Sequence, residues 1–305
     1  MNNSPLVSIV IPVYNGANFL KEAIDSALAQ TYTSIEILVV NDGSADEGKT
    51  KNIALSYGDK IRYFEKINGG VSSALNVGIK EMKGEYFSWL SHDDVYFPKK
   101  IETQIKFLQD NQLPMAITYT DFCCINNSSE ITSEYRVRKI KPESFKIEFI
   151  LGGLLHGCTL LIPKKCFEIC GNFSEKLIAT QDFDLWFKFA EANFVFYHIP
   201  EILVKWRLHD QQVSVKKKEL CDAECNLMYT FFLKKINRSE IRKNYPASSV
   251  RYYLDYANKM LDYGYAKPAK YAFLKSPLGF SIFNPRNILL TLLTGKRLFK
   301  SKRTK

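Results

Sequence analysis

Apolar positions in the first half of the chain alternate between two spacings. Residues 7–13 are a near-continuous run of Val and Ile, the pattern of a strand covered on both faces. Leu20, Ala23, Ile24, Ala27 and Leu28 then recur at helical spacing, with Asn15 placed to cap that helix. Residues 35–40 repeat the buried-strand pattern and end in the turn Asn41-Asp42-Gly43-Ser44. A helix is predicted over 46–57, a short strand over 61–64, a helix over 71–82 after Asn68-Gly69-Gly70, and a strand over 85–90. Pro98 opens a further helix with Ile101, Ile105 and Leu108 as its buried stripe, and 115–119 reads as a strand. Such alternation predicts an α/β fold with a mostly parallel sheet. Open sheets of this kind bind ligands at the carboxyl edges of their strands. Tyr14, Asn15, Asp42 and the run Ser91-His92-Asp93-Asp94 should therefore converge on one crevice.

The pattern is less regular further on. Residues 122–141 are polar and read as loop, 158–162 as a strand, 182–192 as a helix and 194–207 as strand-rich. From 216 the spacing is helical, with Leu220, Leu227, Met228, Phe231 and Phe232 as one apolar face, and 252–263 reads as another helix. The expected organisation is a domain over 1–215, with halves at about 1–120 and 121–215, followed by a helical extension over 216–305.

Composition adds little until the end of the chain. Seven cysteines, two of them adjacent and none in a C-x-x-C pair, argue against a disulfide framework and a structural zinc motif and suit a reducing compartment. Strand residues near the start predict no signal peptide, and no apolar run approaches the ~20 residues of a spanning helix. Ten of the 42 basic residues follow Asp262, where no acidic residue occurs, so the 32 that precede match the 32 acidic ones. Leu278, Phe280, Ile282, Leu289, Leu293 and Phe299 interleave with that basic tail. A basic amphipathic segment suits peripheral contact with an anionic membrane, at roughly 1 kcal/mol per basic residue near the lipid, or a tail docked on the domain. No nucleic-acid module accompanies the charge. These features predict a cytoplasmic protein, peripheral at the inner face of the cell membrane.

The loop after residue 13 holds one glycine, Gly16, and no G-x-G-x-x-G, which disfavours a dinucleotide-dependent oxidoreductase. Asp42 is placed to accept from a nucleobase N–H or a ribose hydroxyl, or else belongs to an ordinary turn. The amino end of the 71–82 helix is a candidate phosphate cradle. Asp93 and Asp94, adjacent at a strand end, repel each other unless a cation sits nearby; Asp94 could alternatively cap the following helix.

The segments ending Pro12-Val13-Tyr14-Asn15 and Asp42-Gly43-Ser44 resemble the opening of the inverting nucleotide-sugar glycosyltransferases of family two, which have the GT-A fold. The resemblance runs to about Ser214, roughly two thirds of the chain. It implies that Pro12, Val13, Tyr14, Asn15, Asn68, Gly70 and Asn76 line the nucleotide-sugar site and that Asp42 reads the base, usually uracil. It implies that Asp93 contacts ribose or metal, that Asp94 is the main ligand of a Mn2+ or Mg2+ ion, and that His209, in an Arg207-Leu208-His209 ending like the family's R-x-H, completes the metal shell or meets the diphosphate. Asp182, in Gln181-Asp182-Phe183-Asp184-Leu185-Trp186, matches the family's acceptor-deprotonating base, or else caps its helix. By position alone, His156 is either an acceptor contact or a buried structural histidine, and Trp186 is either core or, one turn from Asp182, an acceptor wall. Gln181 in place of the usual glutamate and the helix dipole should both lower the pKa of Asp182. Ser91 and Leu75 stand where the family commonly has aspartate and arginine. The implied activity moves a sugar from a nucleoside-diphosphate donor to a glycan or lipid-linked acceptor in cell-surface polysaccharide synthesis. A catalytically weakened nucleotide-sugar-binding or scaffold protein of the same fold is the alternative.

Overall fold

The computed structural model describes residues 4–151, 155–210, 212–245 and 248–276. The chain divides into two compact units, Met1–Pro142 with Leu154–Lys217, and Glu143–Gly153 with Lys218–Lys305. The second unit thus draws on the stretch 143–153 as well as on the helical extension.

In the first unit, β1 (Val7–Val13), α1 (Leu20–Leu28), β2 (Ile35–Asn41), α2 (Lys49–Leu55), β3 (Arg62–Glu65), α3 (Val71–Glu81) and β4 (Tyr86–Trp89) follow in order. Then come β5 (Val95–Tyr96), α4 (Lys100–Asp110), β6 (Ile117–Ile125) and β7 (Ile131–Tyr135). α5 (Phe145–Phe149) belongs to the second unit. β8 (Ile162–Pro163), α6 (Lys164–Cys170), α7 (Gln181–Glu191), β9 (Phe196–Arg207) and α8 (Val213–Lys216) complete the first. One sheet has the order β3-β2-β1-β4-β8 and the other β5-β9-β6-β7. β3, β2, β1 and β4 are parallel, and β8 pairs antiparallel with β4.

All seven β1 side chains are buried, which explains its unbroken apolar run. α1 lays Leu20, Ala23, Ile24 and Ala27 into the core. α3 can approach β1 closely because Gly78 lacks a side chain; a Cβ there would lie 2.3 Å from Val10 Cγ1. The amino edge of this sheet is closed around Glu36, whose carboxylate accepts from Ser8 Oγ (2.6 Å), Lys83 N (2.6 Å) and Arg62 Nη1 (2.7 Å). The carboxyl edge is left for chemistry.

Three expectations are corrected here. Residues 122–141 are not simply loop: β6 runs on to Ile125, and β7 pairs antiparallel with it. All five β7 residues are exposed, so this edge strand lacks the buried face that gives a strand its period. The strand expected over 158–162 is a 3-10 turn, Gly157–Thr159, followed by the two residues of β8. The helix expected from residue 46 starts at Lys49, because Asp46 Oδ2 takes the Thr50 amide at 3.0 Å and so acts before the helix.

The second unit contains α5, α9 (Lys218–Lys235), α10 (Arg238–Asn244), α11 (Ser249–Asp262) and α12 (Ala266–Lys275). Asn237 and Glu240 form a reciprocal capping box on α10. Tyr252 and Tyr256 are buried, donating to Ile147 O (3.0 Å) and Tyr229 O (2.6 Å). The apolar face of α9 differs from the one expected. Met228, Tyr229, Phe232 and Leu233 are buried, whereas Leu220, Leu227 and Phe231 are exposed. Tyr229 is recruited by stacking on Tyr265, with centroids 5.8 Å apart. Lys267, Lys270 and Lys275 lie in α12, and the rest of the basic tail lies outside the described residues. Among the described residues no helix is long and apolar enough to cross a membrane.

Candidate active site

Parallel pairing places the ends of β1, β2 and β4 on one edge, with Val13 opposite Asn41 and Val10 opposite Trp89. Pro12 and Val13 finish β1 buried, and the Val13 carbonyl accepts from Asp42 N at 2.8 Å. Tyr14 is exposed. Asn15 does not cap α1, which has no side-chain cap. It sits in the left-handed region (φ 49°), and its side chain instead accepts from Ala45 N at 2.7 Å while its amide donates to Ser44 Oγ at 2.9 Å. The β1 and β2 loops are thereby sewn together. Gly16 packs against the β4 loop: a Cβ there would lie 2.4 Å from His92 Cδ2.

Asp42 is buried, with its carboxylate at the amino end of α3. It accepts from Lys66 Nζ (2.7 Å), Gly69 N (3.0 Å) and Gly70 N (2.7 Å), while Asn68 Nδ2 donates to the Asp42 carbonyl at 3.0 Å. The seat expected for a phosphate at this helix end is therefore filled by Asp42 itself. Lys66 had no signal in the sequence; β3 carries it here from 24 residues downstream. Asn76, expected to line the nucleotide, is also corrected. Its amide donates to Phe173 O (3.0 Å) and Glu175 Oε1 (2.9 Å) and accepts from Phe173 N (3.0 Å), so it anchors the segment leading to α7. Leu75, in the place of the family's arginine, is buried in the core.

The two adjacent aspartates face different ways. Asp93 Oδ2 lies 2.9 Å from His209 Nε2, and both side chains are partly open, at 14% and 10% exposure. Burial alone would raise the Asp93 carboxyl, but the His209 hydrogen bond holds it below the usual range. Asp94, expected as the main metal ligand, turns inward and is 1% exposed. Its Oδ1 accepts from Arg207 N at 2.9 Å, and its Oδ2 accepts from Cys158 Sγ at 3.2 Å and lies 3.7 Å from His156 Nε2. Burial, and then the charge of Asp93, push its carboxyl well above normal. Burial likewise pushes His156 down to about 4, so its ring is neutral. His156 lies against Phe122 and Trp206, with centroids 5.8 and 5.0 Å away.

Arg207 holds this corner. It is fully buried and donates to Asp93 O (2.8 Å), Asn126 O (2.7 Å), Ser129 Oγ (3.1 Å) and Glu22 Oε2 (2.5 Å). Its signal lay in the Arg207-x-His209 motif, although only the histidine was read from it.

Asp182 lies half-buried in the first turn of α7 and accepts from Phe183 N at 2.8 Å. The expected lowering of its pKa is corrected: burial pushes the carboxyl up to about 7, outweighing that hydrogen bond. Asp184 pairs with Lys188 at 2.6 Å and is structural. Trp186 is no acceptor wall, because it is wholly buried. It packs edge-on against Phe173 (5.9 Å between centroids), which packs against Trp89 of β4 (6.0 Å). This aromatic stack joins the helix of Asp182 to β4, the strand that leads into the loop of Asp93.

Asp93 and His209 offer one carboxylate oxygen and one imidazole nitrogen, partly open at the sheet edge. That donor set fits a six-coordinate Mn2+ better than the harder Mg2+, for which imidazole is a weak partner, and leaves the other positions for phosphate oxygens and water.

The chain is 52% identical over 248 residues to an uncharacterised glycosyltransferase of Rickettsia felis, an alignment covering 78% of this chain and 40% of that relative. The chain thus spans well under half the length of that protein. Its fold matches two solved GT-A glycosyltransferases. One is Staphylococcus aureus TarS 1–349 in complex with UDP-GlcNAc (TM-score 0.60, 16% identity, 95% of this chain and 92% of that one). The other is a mannosyltransferase from Pyrobaculum calidifontis in complex with GDP-Man and Mn2+ (TM-score 0.57, 15% identity, 97% of this chain and 81% of that one). The model of glycosyl transferase family 2 matches residues 8–168, from β1 through the loops of Asp42, Asp93 and Asp94, and with more than half of its residues inside that match the chain belongs to this family.

Proposed function

We propose that this chain is a metal-dependent, inverting glycosyltransferase that moves a sugar from a UDP-linked donor to a hydroxyl of a glycan or lipid-linked acceptor in cell-surface polysaccharide synthesis. The observation that carries the reading is the Asp93–His209 pair, 2.9 Å apart and partly open at the edge where the β1, β2 and β4 loops meet. The base side of the donor lies along Tyr14 and the Asp42–Lys66 pair, with Asn68 and Gly70 holding Asp42 in place. Asp93 and His209 would hold the cation, and Asp94 orients the corner from behind through Arg207 N. When bound, Mn2+ or Mg2+ offsets the charge that grows on the leaving diphosphate.

Asp182 takes the proton of the acceptor hydroxyl as its oxygen attacks the anomeric carbon from the face opposite the diphosphate. A carboxyl near pH 7 suits that task, since a general base works best when its pKa is close to the operating pH. His156 turns Nε2 toward Asp94 Oδ2 at 3.7 Å and buries Nδ1, so it is not assigned to the acceptor. The basic residues after Asp262 support peripheral contact with an anionic membrane surface at the inner face of the cell membrane.

A thermal-shift panel of UDP-, GDP- and other nucleotide sugars, with and without Mn2+, tests the donor side. A UDP-sugar should raise the melting temperature only with the metal present. Inverted stereochemistry in the product, read by proton NMR, tests the displacement. A donor bound equally well without metal, or retention of configuration, would overturn the proposal.

A further inference from the structure

The sugar-transfer chemistry leaves one group of ligands unused. Cys158 is fully buried against Asp94 and Ser91 and has no task in moving a sugar. We propose that Asp94, His156 and Cys158 form a second metal site, selective for thiophilic dications such as Zn2+ and separate from the cation at Asp93 and His209.

The three side chains each offer one ligand atom, and those atoms all lie within 4.8 Å of one another. Cys158 Sγ is 3.2 Å from Asp94 Oδ2, and His156 Nε2 is 3.7 Å from the same oxygen. Tetrahedral zinc with bonds of about 2.0–2.3 Å separates its ligand atoms by roughly 3.3–3.8 Å. These two spacings are within a few tenths of an ångström of that geometry, and the third, between His156 and Cys158, is at most 4.8 Å. Ser91 Oγ, 3.4 Å from Cys158 Sγ, borders the fourth position, which a water or this hydroxyl fills.

Charge favours occupancy. A dication with one carboxylate, one thiolate and a neutral imidazole is neutral as a set, and a neutral set costs far less to bury than an isolated ion. On binding, Zn2+ takes the place of the thiol proton, which leaves to solvent. Sulfur also sets the selectivity, because thiolate prefers zinc to the hard Mg2+ and Mn2+.

The ligands are held in place before any metal arrives. Asp94 is fixed through Oδ1 by Arg207 N, and the His156 ring is set by Phe122 and Trp206. His156 Nδ1 is buried without a hydrogen-bond partner among the described residues, so no hydrogen bond there ties the ring to another orientation. Gly157 brings the turn against Trp89, where a Cβ would lie 2.5 Å from the indole ring. A bound zinc would clamp this turn to the corner between β4 and β5.

The test titrates the full chain with Co2+ alone, then with Zn2+ against a chromophoric chelator. Co2+ should bind at one equivalent and give a thiolate-to-cobalt charge-transfer band with the intense visible bands of tetrahedral cobalt. Cys158→Ser should abolish the charge-transfer band and weaken Zn2+ binding by at least about 100-fold, more than loss of a supporting residue costs. Asp93→Asn should leave the band intact while losing Mn2+-dependent transfer, so this site and the proposed function fail separately. Absence of the band in the wild-type protein would overturn the proposal, whether or not Cys158→Ser folds. So would its persistence in a folded Cys158→Ser or His156→Asn variant.

Discussion

Asp182→Asn separates the cost of burying this carboxylate from its use. The substitution keeps the shape and removes the charge. In the folded chain burial raises the carboxyl to about 7, while in the unfolded chain it titrates near the ordinary value of about 3.9. The sign follows from that order. The unfolded chain releases this proton near pH 4 and the folded chain holds it until about 7, so the contribution to stability is full below pH 4 and is lost as pH rises toward 7. The whole difference is about 4 kcal/mol, an upper bound because the half-buried side chain keeps some water. Asp182→Asn has no such dependence. It should match the wild type near pH 4 and be more stable by up to about 4 kcal/mol at pH 8, measured by urea unfolding at a series of pH values. Transfer should fall by about 10²–10⁴-fold, the usual worth of a general base. Wild-type kcat/KM should rise about tenfold per pH unit below 7 and level off above it. A stability gap that does not grow between pH 4 and 8 would refute the buried-carboxylate argument, and a flat pH–rate profile would refute the base.

Other substitutions test the surroundings. Asp93→Asn and His209→Ala should each lower Mn2+-dependent turnover by about 10²-fold or more, with a higher Mn2+ half-saturation in rate titrations; an unchanged half-saturation would place the cation elsewhere. Gly78→Ala drives a methyl group to 2.3 Å from Val10 Cγ1 and should cost about 1–3 kcal/mol by parting α3 from β1, seen as a lowered denaturant midpoint; an unshifted midpoint would contradict that close packing. Lys100 is fully buried, bonded to Ser88 Oγ at 2.9 Å, and pushed down to about 7 by burial. Its contribution to stability is present above about pH 10 and is lost as pH falls toward 7, so Lys100→Met should be about 1–4 kcal/mol more stable than wild type at pH 7, with the gap narrowing by pH 10. A variant less stable at both pH values would show that the lysine's hydrogen bonds outweigh its desolvation.

What the sequence revealed was what repeats locally. β1, α1 and β2 were legible because each buries a whole face, and burial imposes a period on the residues. β7 was not, because all five of its residues meet solvent and carry no period. At the site, the residue types at the sheet edge were readable from their positions after strands, but their partners were not. Lys66 reaches Asp42 across 24 positions, and Arg207 reaches Asp93 across 114. The titration of Asp182 ran opposite to its local reading for the same reason: the dipole and Gln181 are neighbours in sequence, whereas desolvation comes from distant parts of the fold. The spacing of Trp186 from Asp182 suits core and acceptor wall alike; only packing against Phe173 shows that it faces inward.

Arg207 is anchored to four other residues through its side chain, and its own amide is bound to Asp94. The next amide, of Leu208, is bound to Ile125 O at 2.9 Å. Beyond that point the chain leaves β9 with His209 one residue further on. His209 is held in turn: its amide donates to Gln212 Oε1 at 3.5 Å, its carbonyl accepts from Gln212 N at 3.3 Å, and its ring packs on Phe19 with centroids 5.5 Å apart. Both halves of the proposed cation seat are therefore tied down at the sheet edge, so a diphosphate can be met without first ordering the ligands that receive its cation.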